Sequence, residues 1–326
     1  MRPLLQVLAL PYGLVVRARN LLYDRGWKRI HRLPCRVVSV GNMTVGGTGK
    51  TPVVIWIVDY LLSRGLRVGV LSRGYRRKGP SPHLLVSDGR ALLAGATEAG
   101  DEPFLIASRC RDAVVAVGAD RSRVGRWMLN QFPLDYLVLD DGFQHRAVHR
   151  DVDVLLVDAS DPHGLRALLP AGCLREPLSA VRRASSVLLT RADPDRDLAA
   201  VRALLSAAGG AETEPVLVRF DVEGYVDLAG GAFHGLEDAV DRRALIFSGV
   251  GNSASFRRLV TNHGVKVAEE LVFPDHHAYT KVDWERVREQ ARRCGADVLL
   301  TTEKDAVKIV SLMRPEETVW AARLRT

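Results

Sequence analysis

RVVSVGNMTVGGTGKTP, residues 36–52, decides how the rest of the chain is read. Val37, Val38 and Val40 form a β-branched run that predicts a buried strand. A glycine-rich turn follows, then an amphipathic run, 52–64, that predicts a helix with Pro52 in its first turn. Strand, glycine loop closed by Gly49-Lys50-Thr51 and helix start together make a phosphate cradle. Glycines let successive backbone N–H groups turn towards one anion, the helix N-terminus adds partial positive charge, and Lys50 adds a full one. Thr51 is placed to set its hydroxyl on a Mg²⁺ bridging the phosphates. Thr44, Gly46, Gly47, Thr48, Gly49, Lys50 and Thr51 are therefore the candidate nucleotide contacts. The strict P-loop pattern has a glycine where this chain has Thr44.

At 326 residues the chain has room for about two domains of roughly 100–200 residues each. A composition 47% hydrophobic and 26% charged supports a sizeable core and excludes wholesale disorder. Cys35, Cys110, Cys173 and Cys294 are scattered without a C-x-x-C, which argues against a structural zinc site and for a reducing compartment. The net charge of +8 is concentrated at the start, where residues 1–36 carry eight basic side chains against the single acid Asp24. Interleaved aromatic platforms and a nucleic-acid-binding motif are missing, so no nucleic-acid partner is expected. The apolar run 4–16 is too short to span a bilayer, which takes ~20 residues. Its length and cationic flank suit an interfacial helix on a membrane surface with anionic lipid. The competing reading is a helix packed on the protein's own surface. A cleaved signal peptide fits poorly, because positive charge follows the apolar run.

Strands are predicted at 68–71, 84–86, 113–117, 136–141, 153–158 and 186–190, with helices at 103–109 and 122–130. That alternation predicts an α/β fold: a P-loop NTPase-like parallel sheet covered on both faces, with function at the carboxyl ends of its strands. Residues 216–228 read as two strands around Glu223-Gly224, a hairpin suited to linking two bodies. A second, smaller α/β pattern follows, with strands 245–248, 265–267 and 298–301, a glycine turn 249–251, and helices 255–263 and 282–294. The expected organisation is an N-terminal membrane-associating helix and basic flank (1–34), a P-loop kinase core (35–215), a two-stranded linker (216–235) and a smaller C-terminal α/β domain (236–326).

Several polar clusters sit at strand ends or loop–helix junctions. Asp140 and Asp141 close an apolar strand, where P-loop proteins hold Mg²⁺ directly or through water. Asp101 and Glu102 precede a helix and read equally as site residues or as acids favourable to its dipole. Phe273-Pro274-Asp275-His276-His277 is a weak metal signal but suits general-base work, or a solvated loop. Arg175 either clamps a phosphate or pairs with its neighbour Glu176. Thr302-Glu303-Lys304-Asp305 reads as solvated charge or as a further site loop.

VGNMTVGGTGKTP, Ser72-Arg73-Gly74-Tyr75, Gly100-Asp101-Glu102-Pro103, DDGFQHR (140–146), LPAGCLREP (169–177), FPDHHAY (273–279) and TTEKDAVK (301–308) together resemble the tetraacyldisaccharide 4'-kinase (lipid A 4'-kinase) family, in order over essentially the whole chain. The family shares the Thr44 departure. The resemblance implies an ATP- and Mg²⁺-dependent enzyme, peripheral or monotopic at the cytoplasmic face of the inner membrane. Its substrate would be an acylated glucosamine disaccharide lipid, phosphorylated at the 4'-hydroxyl. It further implies Lys50 on phosphate, Thr51 and Asp140 on Mg²⁺, and Glu102 and Asp141 near the metal. Asp101 and His276 match the pair that activates the hydroxyl, and Arg175 matches an arginine near the transferring phosphate. With Asp101 in the core and His276 in the smaller domain, that pair is expected to assemble only on domain closure. Two local departures are Arg76-Arg77, where glycines are usual, and Cys173, where a proline is common. The alternative function is a membrane-associated P-loop ATPase switch. Such switches carry an extra lysine before the paired glycines, whereas Val45 precedes Gly46-Gly47 here. A non-catalytic nucleotide sensor would have no need of Asp101 and His276.

Overall fold

The computed structural model describes residues 2–75, 77, 81–192, 197–209 and 214–326; Arg76 of the departure noted above lies outside them. In chain order, helix α1 (Arg2–Asp24) precedes β1 (Arg36–Asn42), α2 (Lys50–Ser63), β2 (Val68–Ser72) and β3 (His83–Asp88). Next come α3 (Ala96–Ala99), α4 (Asp101–Arg109), β4 (Val114–Gly118), α5 (Arg121–Gln131) and β5 (Tyr136–Asp140). Then follow β6 (Val152–Asp158), β7 (Ser186–Thr190), α6 (Ala199–Ala207) and β8 (Val216–Val218). The last part holds β9 (Asp221–Asp227), β10 (Phe233–His234), β11 (Arg243–Ser248), α7 (Ser253–Asn262), β12 (Lys266–Val272), α8 (Lys281–Cys294), β13 (Val298–Thr302), α9 (Glu303–Ile309) and β14 (Val319–Arg325).

The chain forms two compact units, Met1–Ala94 with Ile106–Arg219, and Gly95–Leu105 with Phe220–Thr326. The first is built on an eight-stranded sheet of order β3-β4-β2-β5-β1-β6-β7-β8, parallel except for β3 at one edge. β1 is buried from Val37 to Asn42, as a central parallel strand must be when both faces are covered. Its register with β5 pairs Val40 with Asp140, so the carboxylate ends beside the start of the glycine loop. Gly41 leaves no room for a side chain, because a Cβ there would lie 2.7 Å from the backbone nitrogen of Phe143. α2 begins at Lys50, two residues earlier than the sequence pattern suggests. Pro52 is accommodated because the first turn of a helix leaves its N–H groups without intrahelical partners.

The second unit carries a six-stranded sheet, β10-β9-β14-β13-β11-β12, in which β11 to β14 are parallel and β9 and β10 antiparallel. Two expectations are corrected here. The hairpin about Glu223-Gly224 does not form, since β8 pairs with β7 in the first sheet and Glu223-Gly224 lies inside β9. The reversal falls between β9 and β10, and Gly224 sits where a Cβ would meet Phe233 and the His234 carbonyl. Gly95–Leu105, expected in the P-loop core, groups with the second unit, where α3 packs on α9.

Candidate active site

In the first unit the loop between β1 and α2 is closed by Gly49, which takes a left-handed φ of 83° and caps α2, so that the first amides of the helix point outward. Gly46 also has positive φ, 109°. Thr48 is held twice: its hydroxyl accepts from Asn42 Nδ2 at 3.0 Å, and its carbonyl accepts from Thr190 at 2.9 Å. On the other side Thr44 bridges Leu174, and Val45 N donates to the Cys173 carbonyl at 2.8 Å. The loop is thus clamped at both ends while Gly46 and Gly47 stay exposed.

Around this loop the charged groups converge. Lys50 Nζ lies 3.4 Å from Asn42 Oδ1 and 3.6 Å from Asp141 Oδ1. Arg175 grips both oxygens of Asp141 at 3.0 and 2.9 Å and donates to the Asn42 carbonyl at 2.8 Å. The alternative pairing of Arg175 with Glu176 is therefore corrected, because Glu176 is taken by Arg183. Burial alone would raise the pKa of Asp141, but the hydrogen bonds from Arg175 and the charges of Lys50, Arg175 and Arg121 hold it far below the usual carboxylate range. Asp140 is buried, 1% exposed, and accepts from Ser72 Oγ at 2.7 Å. Asp140 and the Thr51 hydroxyl, with Asp141 alongside, are the hard oxygen donors that suit Mg²⁺, which takes one or two carboxylates together with water and phosphate. No group of three or more His, Cys, Asp or Glu side chains that could hold a metal ion occurs among the described residues.

His145, in the run that follows Asp141, is pushed down from an ordinary 6.5 to about 4, first by burial and then by Arg121, with Asp120 opposing and Arg150 and Arg73 adding to the effect. Its Nε2 is buried with no hydrogen-bond partner among the described residues. A histidine neutral in both states favours neither; as pH falls below ~6.5 the unfolded chain takes up the proton first, so stability is lost progressively down to the folded value. Urea unfolding between pH 7 and 4 should show a steeper loss of stability for the parent than for His145→Gln; parallel curves would contradict it.

The second unit brings together Asp101, Glu102 and His276. Asp101 opens α4, and His276 sits in a loop after β12 with φ 57°, a left-handed conformation uncommon for a side-chain-bearing residue. His276 Nδ1 lies 3.6 Å from Asp101 Oδ2, and His276 Nε2 lies 3.1 Å from Lys304 Nζ. Lys304 also reaches Glu102 at 3.2 Å and Asp275 at 3.5 Å. Lys308, one turn further along α9, lies 3.8 Å from Asp101 and 2.7 Å from Asp305. Burial opposes the charge of Lys304, yet Glu102 and Asp275 raise its pKa above the ordinary lysine value. His277 has other work: its Nε2 donates to the Asp283 carboxylate at 3.1 Å, and its ring stacks on Phe273.

Three expectations meet these contacts. Asp101 and His276 fall within one unit, so domain closure is not what brings them together. Glu102, expected near the metal, is paired with Lys304 in that unit. The 302–305 run is not solvated charge, since Asp305 is 0% exposed and bonds Gly249 N and Thr302. Asn42 and Lys308 are not among the expected site residues, and Lys304 is expected only as part of the 302–305 run. Asn42 hides as the last residue of an apolar strand. The spacing of Lys304 and Lys308, which puts both on one helical face, was the signal available for them.

A P-loop between a central parallel strand and a helix, with acids at the end of the neighbouring strand, defines the nucleotide-binding class of P-loop NTPases. The sequence profile of the family described as Tetraacyldisaccharide-1-P 4'-kinase matches residues 1–326. A relative named tetraacyldisaccharide 4'-kinase in Syntrophus aciditrophicus is 39% identical over 318 residues, 95% of this chain and 84% of that one. Another of that name in Anaeromyxobacter dehalogenans is 42% identical over 302 residues, 92% and 79% of the two chains. A crystal structure of LpxK from Aquifex aeolicus in complex with ATP is similar at 33% identity and TM-score 0.78, covering 99% of this chain and 94% of that one. The chain belongs to the tetraacyldisaccharide 4'-kinase family and is a kinase.

Proposed function

We propose that this kinase transfers the γ-phosphoryl of ATP to the 4'-hydroxyl of a tetraacylated glucosamine disaccharide 1-phosphate in lipid A synthesis. The observation that carries the reading is the juxtaposition of Asp101 and His276 in a protein that also holds a glycine loop closed by Gly49-Lys50-Thr51 at a helix start. Lys50, the loop amides of 46–51 and Arg175 bind and orient the phosphates. Thr51 and Asp140, with Asp141 nearby, would hold Mg²⁺, which would supply positive charge to the phosphates. His276, oriented by Asp101, takes the proton of the sugar hydroxyl as its oxygen bonds to phosphorus and the bond to the ADP oxygen breaks. The Asp101 carboxylate stabilises the resulting imidazolium. With γ-labelled ATP, label should appear on the disaccharide, and ADP release should need the lipid. Equal ADP release without lipid would favour the ATPase switch instead.

The same reading puts the enzyme at the cytoplasmic face of the inner membrane, with residues 1–34 on anionic lipid. No helix among the described residues is long and apolar enough to cross a membrane. α1 nevertheless leaves Leu10, Leu14 and Val15 66%, 64% and 69% exposed, beside a basic flank. Replacing these three by serine should release the protein from anionic vesicles. A parent protein that ignores such vesicles at low salt would count against membrane docking.

A further inference from the structure

α1 has a second face. Opposite its exposed leucines, Gly13 and Val16 are buried, and a Cβ at Gly13 would touch Leu168 at 3.0 Å. The polar groups on this face all reach the two loops beside the P-loop. Tyr12 OH donates to the Arg175 carbonyl at 2.9 Å. Asn20 Nδ2 donates to Glu176 Oε2 at 2.7 Å, and Arg19 donates to the Gln144 carbonyl at 3.3 Å.

What these loops hold is the entrance to the cradle. Residues 173–175 run antiparallel to the start of the glycine loop, with Val45 N on the Cys173 carbonyl and Arg175 N on the Met43 carbonyl at 2.7 Å. Gln144 Nε2 and Arg175 Nη2 both donate to the carbonyl of Asn42, at 2.9 and 2.8 Å. Glu176 itself is fully buried against Arg183 and Asn20. A buried carboxylate with its partners satisfied is a rigid pivot, because breaking any one bond leaves charge uncompensated. Three layers therefore stack in sequence: helix α1, the strap 173–176, and the glycine loop.

We propose that α1 is a positioning element for Arg175, not only an anchor: Tyr12 and Asn20 fix the strap that carries the guanidinium onto Asp141 beside Lys50. This rests on the reading above that Arg175 faces the transferring phosphate. A helix that meets a lipid surface with one face and sets the strap with the other ties the posture of the enzyme on its substrate's membrane to the geometry of phosphate transfer. Side chains on such a relay act through position, and displacements of ~1 Å are enough to slow a reaction on the order of 100-fold.

The test uses the full chain with ATP, Mg²⁺ and the acylated disaccharide in detergent micelles, where vesicle docking is not required. Tyr12→Phe with Asn20→Ala should lower kcat ~10-fold or more through misplaced Arg175, while KM for ATP and vesicle binding stay near the parent values. Asn20→Asp, which opposes Glu176 with a second carboxylate, should lose more than Asn20→Ala. In an Arg175→Ala background the Tyr12→Phe and Asn20→Ala pair should add less than about twofold, since residues acting as a unit are non-additive. Tyr12→Phe alone, which removes one hydroxyl, guards against an unfolded variant and should show part of the loss. Parent-like kcat in the pair alongside a crippled Arg175→Ala overturns the coupling and leaves the phosphate role intact. Fully multiplicative losses overturn it too. Parent-like kcat in Arg175→Ala removes the phosphate role, and the coupling with it.

Discussion

Lys50→Ala should reduce kcat by ~10²-fold or more in folded protein, the scale of losing one electrostatic stabiliser of a developing charge. The ammonium stands 3.6 Å from Asp141 and 3.4 Å from Asn42 at the mouth of the loop, and Asp141 is already satisfied by Arg175. Its charge is therefore available to a phosphate rather than needed to neutralise the acid. Asp140→Asn should be as damaging by a separate route. The substitution keeps the volume of a buried side chain and can still accept from Ser72, so folding should survive while the charge that would hold Mg²⁺ is gone. Steady-state kinetics with saturating ATP and lipid check both. A near-parent kcat in either variant would remove that residue from the phosphate-transfer machinery.

His276→Ala and Asp101→Ala should each lower kcat strongly, within the ~10²–10⁴-fold range of general acid–base contributions, with modest change in the KM for ATP. A sugar hydroxyl is far too weak an acid to ionise at neutral pH, so a base that takes its proton during attack is worth most in the transition state. His276 is near Asp101 on one side and Lys304 on the other, whereas His277 is committed to Asp283 and Phe273. His277→Ala should therefore affect stability more than kcat. A large kcat loss at His277 with none at His276 would move the base by one residue.

Much of the first unit was legible because central parallel strands announce themselves. The run at 36–42 and the apolar strands ending in Asp140, Asp158 and Thr190 need no long-range information, since burial on both faces forces continuous apolar sequence. β14 escaped notice for the opposite reason: VWAARLR mixes two alanines with two arginines and has no clean period, although its first four residues are buried. Glu223-Gly224 was misread as a turn because glycine in a strand and glycine in a turn look alike locally. What distinguishes them is the ring of Phe233, nine residues on, which occupies the space a side chain would need.

The site was legible as residues but not as groupings. Each cluster lies at a strand end or a loop, where a parallel sheet exposes function. Which clusters share a unit depends on packing that no local pattern encodes. Gly95–Leu105 is the clearest case, interrupting the first unit in sequence yet packing with the second. Arg175 and Glu176 show the same limit on a smaller scale, since adjacency suggested a pair and the fold gives each a different partner.

Whether Asp101 and His276 act as one base is decided by kcat for Asp101→Ala/His276→Ala against the two single variants, under saturating ATP and acylated disaccharide. The double variant should be little slower than the worse single, because the second substitution removes nothing that still functions. Losses that multiply in full would contradict it, assigning the aspartate and the histidine to separate steps.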